Sequence, residues 1–193
     1  MILNYLNILC IILFTTLFSS CSTFRKVESN PNKIKITESN LNKLNGSYLN
    51  RSKANSDTLF ADLYWNLFNR GIKLTDPKDY ITFKVISNHK INIQCYNNET
   101  IVRSKIFHGK IIEGYFEFRR RYWNIPLIFA NLFRNTKFRI GILENGNMIT
   151  DYRHSSFGSF FVILPDWKFY TQHNIEFIKI DAVQENFINK NIR

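Results

Sequence analysis

The sequence predicts a mainly β fold, an antiparallel meander of about nine strands with one amphipathic helix near its start. Three observations carry that expectation. From Tyr80 onward apolar residues recur with a period of two. Turn-forming pairs such as Asn88-His89, Asn97-Asn98 and Asn145-Gly146 separate those runs. Earlier, Leu59, Phe60, Leu63, Tyr64, Leu67 and Phe68 repeat at the 3.6-residue period of a helix face.

Taken in order, the folded part opens at Leu44 to Asn50. The helix follows, with Ser56 or Asp57 able to cap it and Gly71 able to end it. Ile81, Phe83 and Val85 then alternate with Thr82 and Lys84, and Ile91, Ile93 and Cys95 with Asn92, Gln94 and Tyr96. Thr100 to Phe107 makes the next strand, and His108-Gly109 is expected to turn it. Ile112, Gly114, Phe116 and Phe118 share one strand face, opposite Glu113, Tyr115, Glu117 and Arg119. Phe138, Ile140 and Ile142 lead into Asn145-Gly146, a strong hairpin signal. Strands at Met148 to Arg153, Phe157 to Leu164 and Ile175 to Ile180 complete the set. A meander of this length tends to curl and pair its own edges.

Composition supports a packed domain. The chain has 193 residues, 45% hydrophobic, with eighteen Phe, which is enough for a core and argues against disorder. The net charge is +11, and residues 1–20 hold no charged side chain, so all of it falls on the rest. Such a charge biases the protein toward anionic partners; a Lys-rich, well-solvated surface is the plainer account.

Met1 to Phe18 is apolar, but its densest part, Ile8 to Phe14, has the length of a signal-peptide core rather than of a membrane span. Small residues and a cysteine follow. Leu17-Phe18-Ser19-Ser20-Cys21 resembles the lipobox of bacterial lipoproteins, and the whole pattern is similar to that of small Gram-negative lipoproteins. The resemblance implies that residues 1–20 are a signal peptide. It also implies a diacylglyceryl group on the Cys21 thiol and a fatty acid, such as palmitate, on the freed amine. Two or more acyl chains anchor stably where one does not. An ordinary secretory signal or an uncleaved N-terminal anchor remain the alternatives. Ser22, where an inner-membrane retention signal would place Asp, implies the outer membrane. Residues 21–43 read as the lipidated cysteine and a flexible tether, and 44–193 as one β-rich domain.

The strand–helix–hairpin order looks like a lipocalin-like barrel, and Gly46-Ser47-Tyr48 is similar to the Gly-x-Trp opening of that family with Tyr for Trp. That likeness implies a cavity for a lipid or other apolar ligand. Asp151 and Arg153 are the residues that could orient such a ligand's polar end. If Asn145-Gly146 is a two-residue turn, Ile142 faces Ile149 and Asp151 points inward, with Arg153 opposite Phe138. A longer turn or a bulge sends both outward.

Arg119, Arg120, Arg121, Tyr122 and Trp123 open a segment running to Arg134 that interrupts the meander. Cations beside interfacial aromatics suit a loop that lies on anionic lipid headgroups or grips an envelope protein. Alternatively Ile125 to Phe133 folds inward as a lid or short helix. Nucleic acid is not expected as a partner.

Catalytic and metal motifs do not emerge. Glu113 and Glu117, four residues apart on a strand, are about 13 Å apart, too far for a glycosidase pair, and are expected to be solvated. Asp151, His154, Ser155 and Ser156 include triad residue types without a nucleophile elbow. His89 and His108 fall in expected turns and His173 near a strand start, with no metal-ligand spacing, and no phosphate loop is present. Cys95 points into an apolar layer and has no disulfide partner once Cys10 and Cys21 are spent. The expectation is an envelope lipoprotein whose β domain binds or scaffolds without catalysis, metal or cofactor; a lipocalin-like carrier or sensor is the alternative.

Overall fold

The computed structural model of the chain describes residues 30–54, 62–68, 79–124, 130–160 and 164–180, with the side chains of 123–132 and 159–166 outside that description. It is mainly β, with nine antiparallel strands in one sheet. They are β1 (Lys33–Ile34), β2 (Gly46–Ser52), β3 (Tyr80–Ser87), β4 (Lys90–Asn97), β5 (Thr100–Ile112), β6 (Tyr115–Asn124), β7 (Ala130–Leu143), β8 (Met148–Phe160) and β9 (Leu164–Ile180). Strands β2 to β9 pair in sequence, and β9 returns to β2, so eight strands form a closed ring of pairings.

Nine strands appear, but not quite the nine expected. The two runs at Met148 to Arg153 and Phe157 to Leu164 are one continuous strand through Phe160, and β1 is an addition. β1 pairs with Leu143 and Ile142 at the end of β7, and a 3-10 turn at Glu38–Leu44 follows it. Ile36, Leu41 and Leu44 are all fully buried there. Residues 33–43, expected as tether, are therefore part of the folded domain. Their apolar residues are few and widely spaced among Lys and Asn, which hides a segment that caps a sheet rather than pairing along it.

One cluster of buried side chains lies inside the ring, with Tyr48, Phe83, Phe116, Phe138 and Phe177 among the largest. Cys95 lies in this layer, where burial pushes its thiol up to about 12, so it is a small apolar filler at neutral pH. A chain of ring contacts, Phe107 to Phe118 to Phe138 to Tyr152 at 4.6, 5.2 and 6.4 Å, runs across four strands.

Of the expected helix, the described residues show α1 (Leu63–Phe68) alone, and residues 55–61 and 69–78 lie outside the description. Leu63, Tyr64, Leu67 and Phe68 join the core. α1 is tied down in two places. Asp62 caps the start by accepting from the Trp65 amide at 2.9 Å, and buried Asn50 accepts from the Tyr64 amide at 2.8 Å; Ser56 and Asp57 lie outside the description. Arg120, from β6, donates to the carbonyls of Leu67 and, at 2.8 Å, Asn66.

Two turns differ from expectation. His108-Gly109 does not turn; β5 runs through it to Ile112 and the chain reverses at Glu113-Gly114, both with positive φ, as a tight hairpin turn requires. Gly109 is small for another reason: a Cβ there would sit 2.5 Å from the Phe116 ring and 2.6 Å from the Glu117 carbonyl. Between β7 and β8, the Gly146 amide donates to the Leu143 carbonyl and the Leu143 amide to the Asn147 carbonyl, both at 2.9 Å. Gly146 has φ +85°. This is a three-residue loop, one longer than the two-residue turn that would point Asp151 inward.

Candidate functional site

That extra residue sets the register of everything above it. Ile142 faces Met148, Ile140 faces Thr150, Arg139 faces Asp151 and Lys137 faces Arg153. A shift of one residue moves every side chain to the other face. The inward residues are Phe138, Ile140, Ile142, Met148 and Tyr152, so Asp151 and Arg153 lie on the outer face and do not line the interior.

Asp151 is nonetheless buried, and it belongs to a charged lattice on that outer face. Its Oδ1 accepts from the Asn174 amide at 2.9 Å, with His173 Nδ1 at 3.7 Å. Glu117, expected to be solvated, is 3% exposed and clamped between Arg119 and Arg139, each donating through Nε at 3.1 Å. Arg139 also reaches exposed Glu113 at 3.3 Å. So the two glutamates share one arginine, and Glu113 sits in the turn rather than on the strand. Lys33 closes the lattice from β1, donating to the Glu113 carbonyl at 3.2 Å with its ammonium 3.4 Å from the centre of the Tyr115 ring. Burial lowers the pKa of Lys33, and burial followed by the charge of Asp151 raises Tyr115 to about 12. These groups are paired to each other, a structural arrangement.

The triad types are not brought together. Asp151 and His154 lie on opposite faces of β8, and His154 Nδ1 meets Thr136 Oγ1 at 2.9 Å instead. Burial, then Arg134 and Arg120, lowers the pKa of His154. His108 is in a strand rather than a turn; His89, His108 and Glu117 border a shallow open groove of about 310 Å³ with Lys110 and Arg119. Among the described residues no three His, Cys, Asp or Glu side chains cluster as a metal site, and no helix is long and apolar enough to cross a membrane.

The segment opened by Arg119 is the largest departure. Arg119 to Asn124 forms the end of β6 and Ala130 to Arg134 the start of β7, paired through Asn124 and Leu132. Neither part is a lid or a helix; residues 125–129 lie outside the description. Pairing of β6 with β5 stops at Phe118 and that of β9 with β2 at Phe177. Beyond these points β6, β7, β8 and β9 continue as a four-stranded sheet that outruns the ring. Among the described residues no strand pairs with Arg119–Asn124 or with Leu164–Gln172 on the outer sides of that extension.

Its rows can be read from the register. On the outer face Arg119, Lys137 and Arg153 stand side by side, next to Thr171. Two residues on, Arg121, Asn135, Ser155 and Phe169 form a row, and two further on come Trp123, Phe133, Phe157 and Trp167. An aromatic residue thus occupies the same level on all four strands. Trp167 is 74% exposed and Phe169 58%; Phe157 meets Trp167 edge-on at 4.7 Å, and the Arg153 guanidinium lies 4.7 Å from the Phe169 ring centre. The opposite face carries Arg120, Thr136, His154 and Tyr170, then Tyr122, Arg134, Ser156 and Lys168. Tyr122 and Tyr170 are also exposed. Within Arg119 to Tyr122, Arg120 is the residue turned inward to α1; sequence reasoning placed Phe133 in the interrupting segment but missed Phe157, Trp167 and Phe169.

No protein-family model, curated protein or solved structure matches the chain.

Proposed function

We propose that this is a non-catalytic binding protein of the bacterial envelope, held by lipid on Cys21, whose working surface is the extension of β6 to β9. The observation that carries the reading is the row of aromatics on strands that have left their own core. Burying a ring of this size is worth about 2 kcal/mol; Trp167 and Phe169 stand largely in solvent with Phe133 and Phe157 half-buried beside them, and such a group marks a surface meant to be covered. The other large exposed apolar residues, Trp65, Ile86, Ile101 and Ile106, are not part of this row and lie on α1, β3 and β5. The outward placement of Asp151 and Arg153 weighs against a lipocalin-like carrier that would use them inside.

A photo-crosslinking amino acid placed at Trp167 or at Ile101 in living cells tests it. Adducts from position 167 should exceed those from 101, whatever the captured molecule. Equal yields would remove the extension from its role. Retention of radiolabelled fatty acid by a Cys21→Ala variant would separately overturn the anchor.

A further inference from the structure

The geometry points to an anionic bilayer surface as the partner of this extension, docked through the aromatic row and held by the cations around it; the inference rests on the working surface proposed above. Three features of the extension converge on that chemistry. The first is the level arrangement. Phe133, Phe157 and Trp167 lie at one height across the sheet, and Trp123 pairs with Phe133 at that level; aromatic side chains stand at a common height where they meet a membrane interface. A protein partner gives no reason for a common height, whereas a planar one does.

The second is charge. The extension, taken as residues 119–124, 130–137, 153–160 and 164–172, contains Arg119, Arg120, Arg121, Arg134, Lys137, Arg153 and Lys168 against the single acid Asp166. Arg134 and Lys168 stand one residue below the aromatic row on the reverse face. Arg119, Lys137 and Arg153 stand four residues below it on the same face, about 13 Å away, within a side chain's reach of headgroups when the rings sit at the interface.

Third, those three cations are direct cross-strand neighbours, a placement that costs stability in an isolated sheet. Lys137 is only 5% exposed, and burial, then Arg119, lowers its pKa. An external layer of negative charge relieves the crowding; a neutral surface does not.

The test uses residues 21–193 with Cys21→Ser, which retains every described residue and carries no acyl chain. Flotation is measured with vesicles of phosphatidylcholine alone and of equal parts phosphatidylcholine and phosphatidylglycerol. Binding is expected to the anionic vesicles and to fall steeply with salt. Arg153→Gln and Lys168→Gln should each weaken it roughly fivefold, the worth of one basic residue near an anionic surface. Trp167→Ser with Phe169→Ser should weaken vesicle binding more than tenfold, the loss of two buried rings, without changing the unfolding midpoint. Equal binding to both vesicle types, no binding, or an aromatic variant that binds like the wild type overturns the bilayer. Failure here together with strong protein adducts from position 167 in cells leaves the working surface intact and makes its partner a protein; failure of both removes the surface as well.

Discussion

Strands β6 to β9 pass through two regimes within one sheet. In the ring, Phe118, Phe138 and Tyr152 face inward and are covered by β2 to β5 and by α1. A few residues further, the same strands carry Phe133, Phe157, Trp167 and Phe169 on the outer face, partly or largely in solvent. The first region is organised by a packed interior, where each face has an assigned environment. The second is organised by height along the strands, with rows of cations and rows of rings. Aromatic content alone does not distinguish them; what does is whether other strands close around the sheet.

Substitutions can sharpen this contrast, and the largest effect is expected in the ring. Phe138→Ala, in the middle of the ring-contact chain, should cost about 3–5 kcal/mol by urea unfolding; a cost below about 1 kcal/mol would mean that the interior is not close-packed. Next comes the boundary. Arg120→Met keeps much of the side chain but removes the donor to the Asn66 and Leu67 carbonyls of α1, and should cost about 1–3 kcal/mol. An unchanged midpoint would show that α1 does not depend on β6.

His154 sits just above Tyr152, where the two regimes meet. Its pKa is depressed in the folded state by burial and by Arg134 and Arg120, so the unfolded chain binds a proton first as pH falls. Its contribution to stability is therefore complete above the unfolded value near 6.5 and is lost as pH drops from there toward the folded value, at up to about 1.4 kcal/mol per pH unit. His154→Gln should flatten the stability profile in that window, measured by denaturant unfolding at several pH values. A slope that survives the substitution would assign it to other groups. The smallest effect belongs to Trp167→Ser, expected within about 0.5 kcal/mol of the wild type. A loss comparable to that of Phe138→Ala would erase the distinction between the regions.

The ring was legible because its strands are half-buried: Ile81-Phe83, Ile91-Ile93-Cys95 and Phe138-Ile140-Ile142 alternate as one buried face requires. The extension was not, because neither face of Arg119 to Asn124 is uniformly apolar or polar, and a period of two has nothing to act on. What makes its aromatics a row is the pairing of β6, β7, β8 and β9, information spread over some fifty residues. Asn145-Gly146 marked a hairpin correctly but fits two loop lengths, and only the φ of Gly146 and the pairing of Leu143 with Asn147 decide between them. Gly109 was read as a turn because a glycine beside a histidine gives no hint of an aromatic ring arriving from the next strand.

The short clasp of β1 on β7 fixes where the described chain enters the fold. It joins at Ile142 and Leu143, whereas the aromatic level on β7 is at Phe133, about 34 Å along the strand. The point of entry and the surface that carries the rings are therefore held apart by one strand, and neither can approach the other without breaking the pairing of β7.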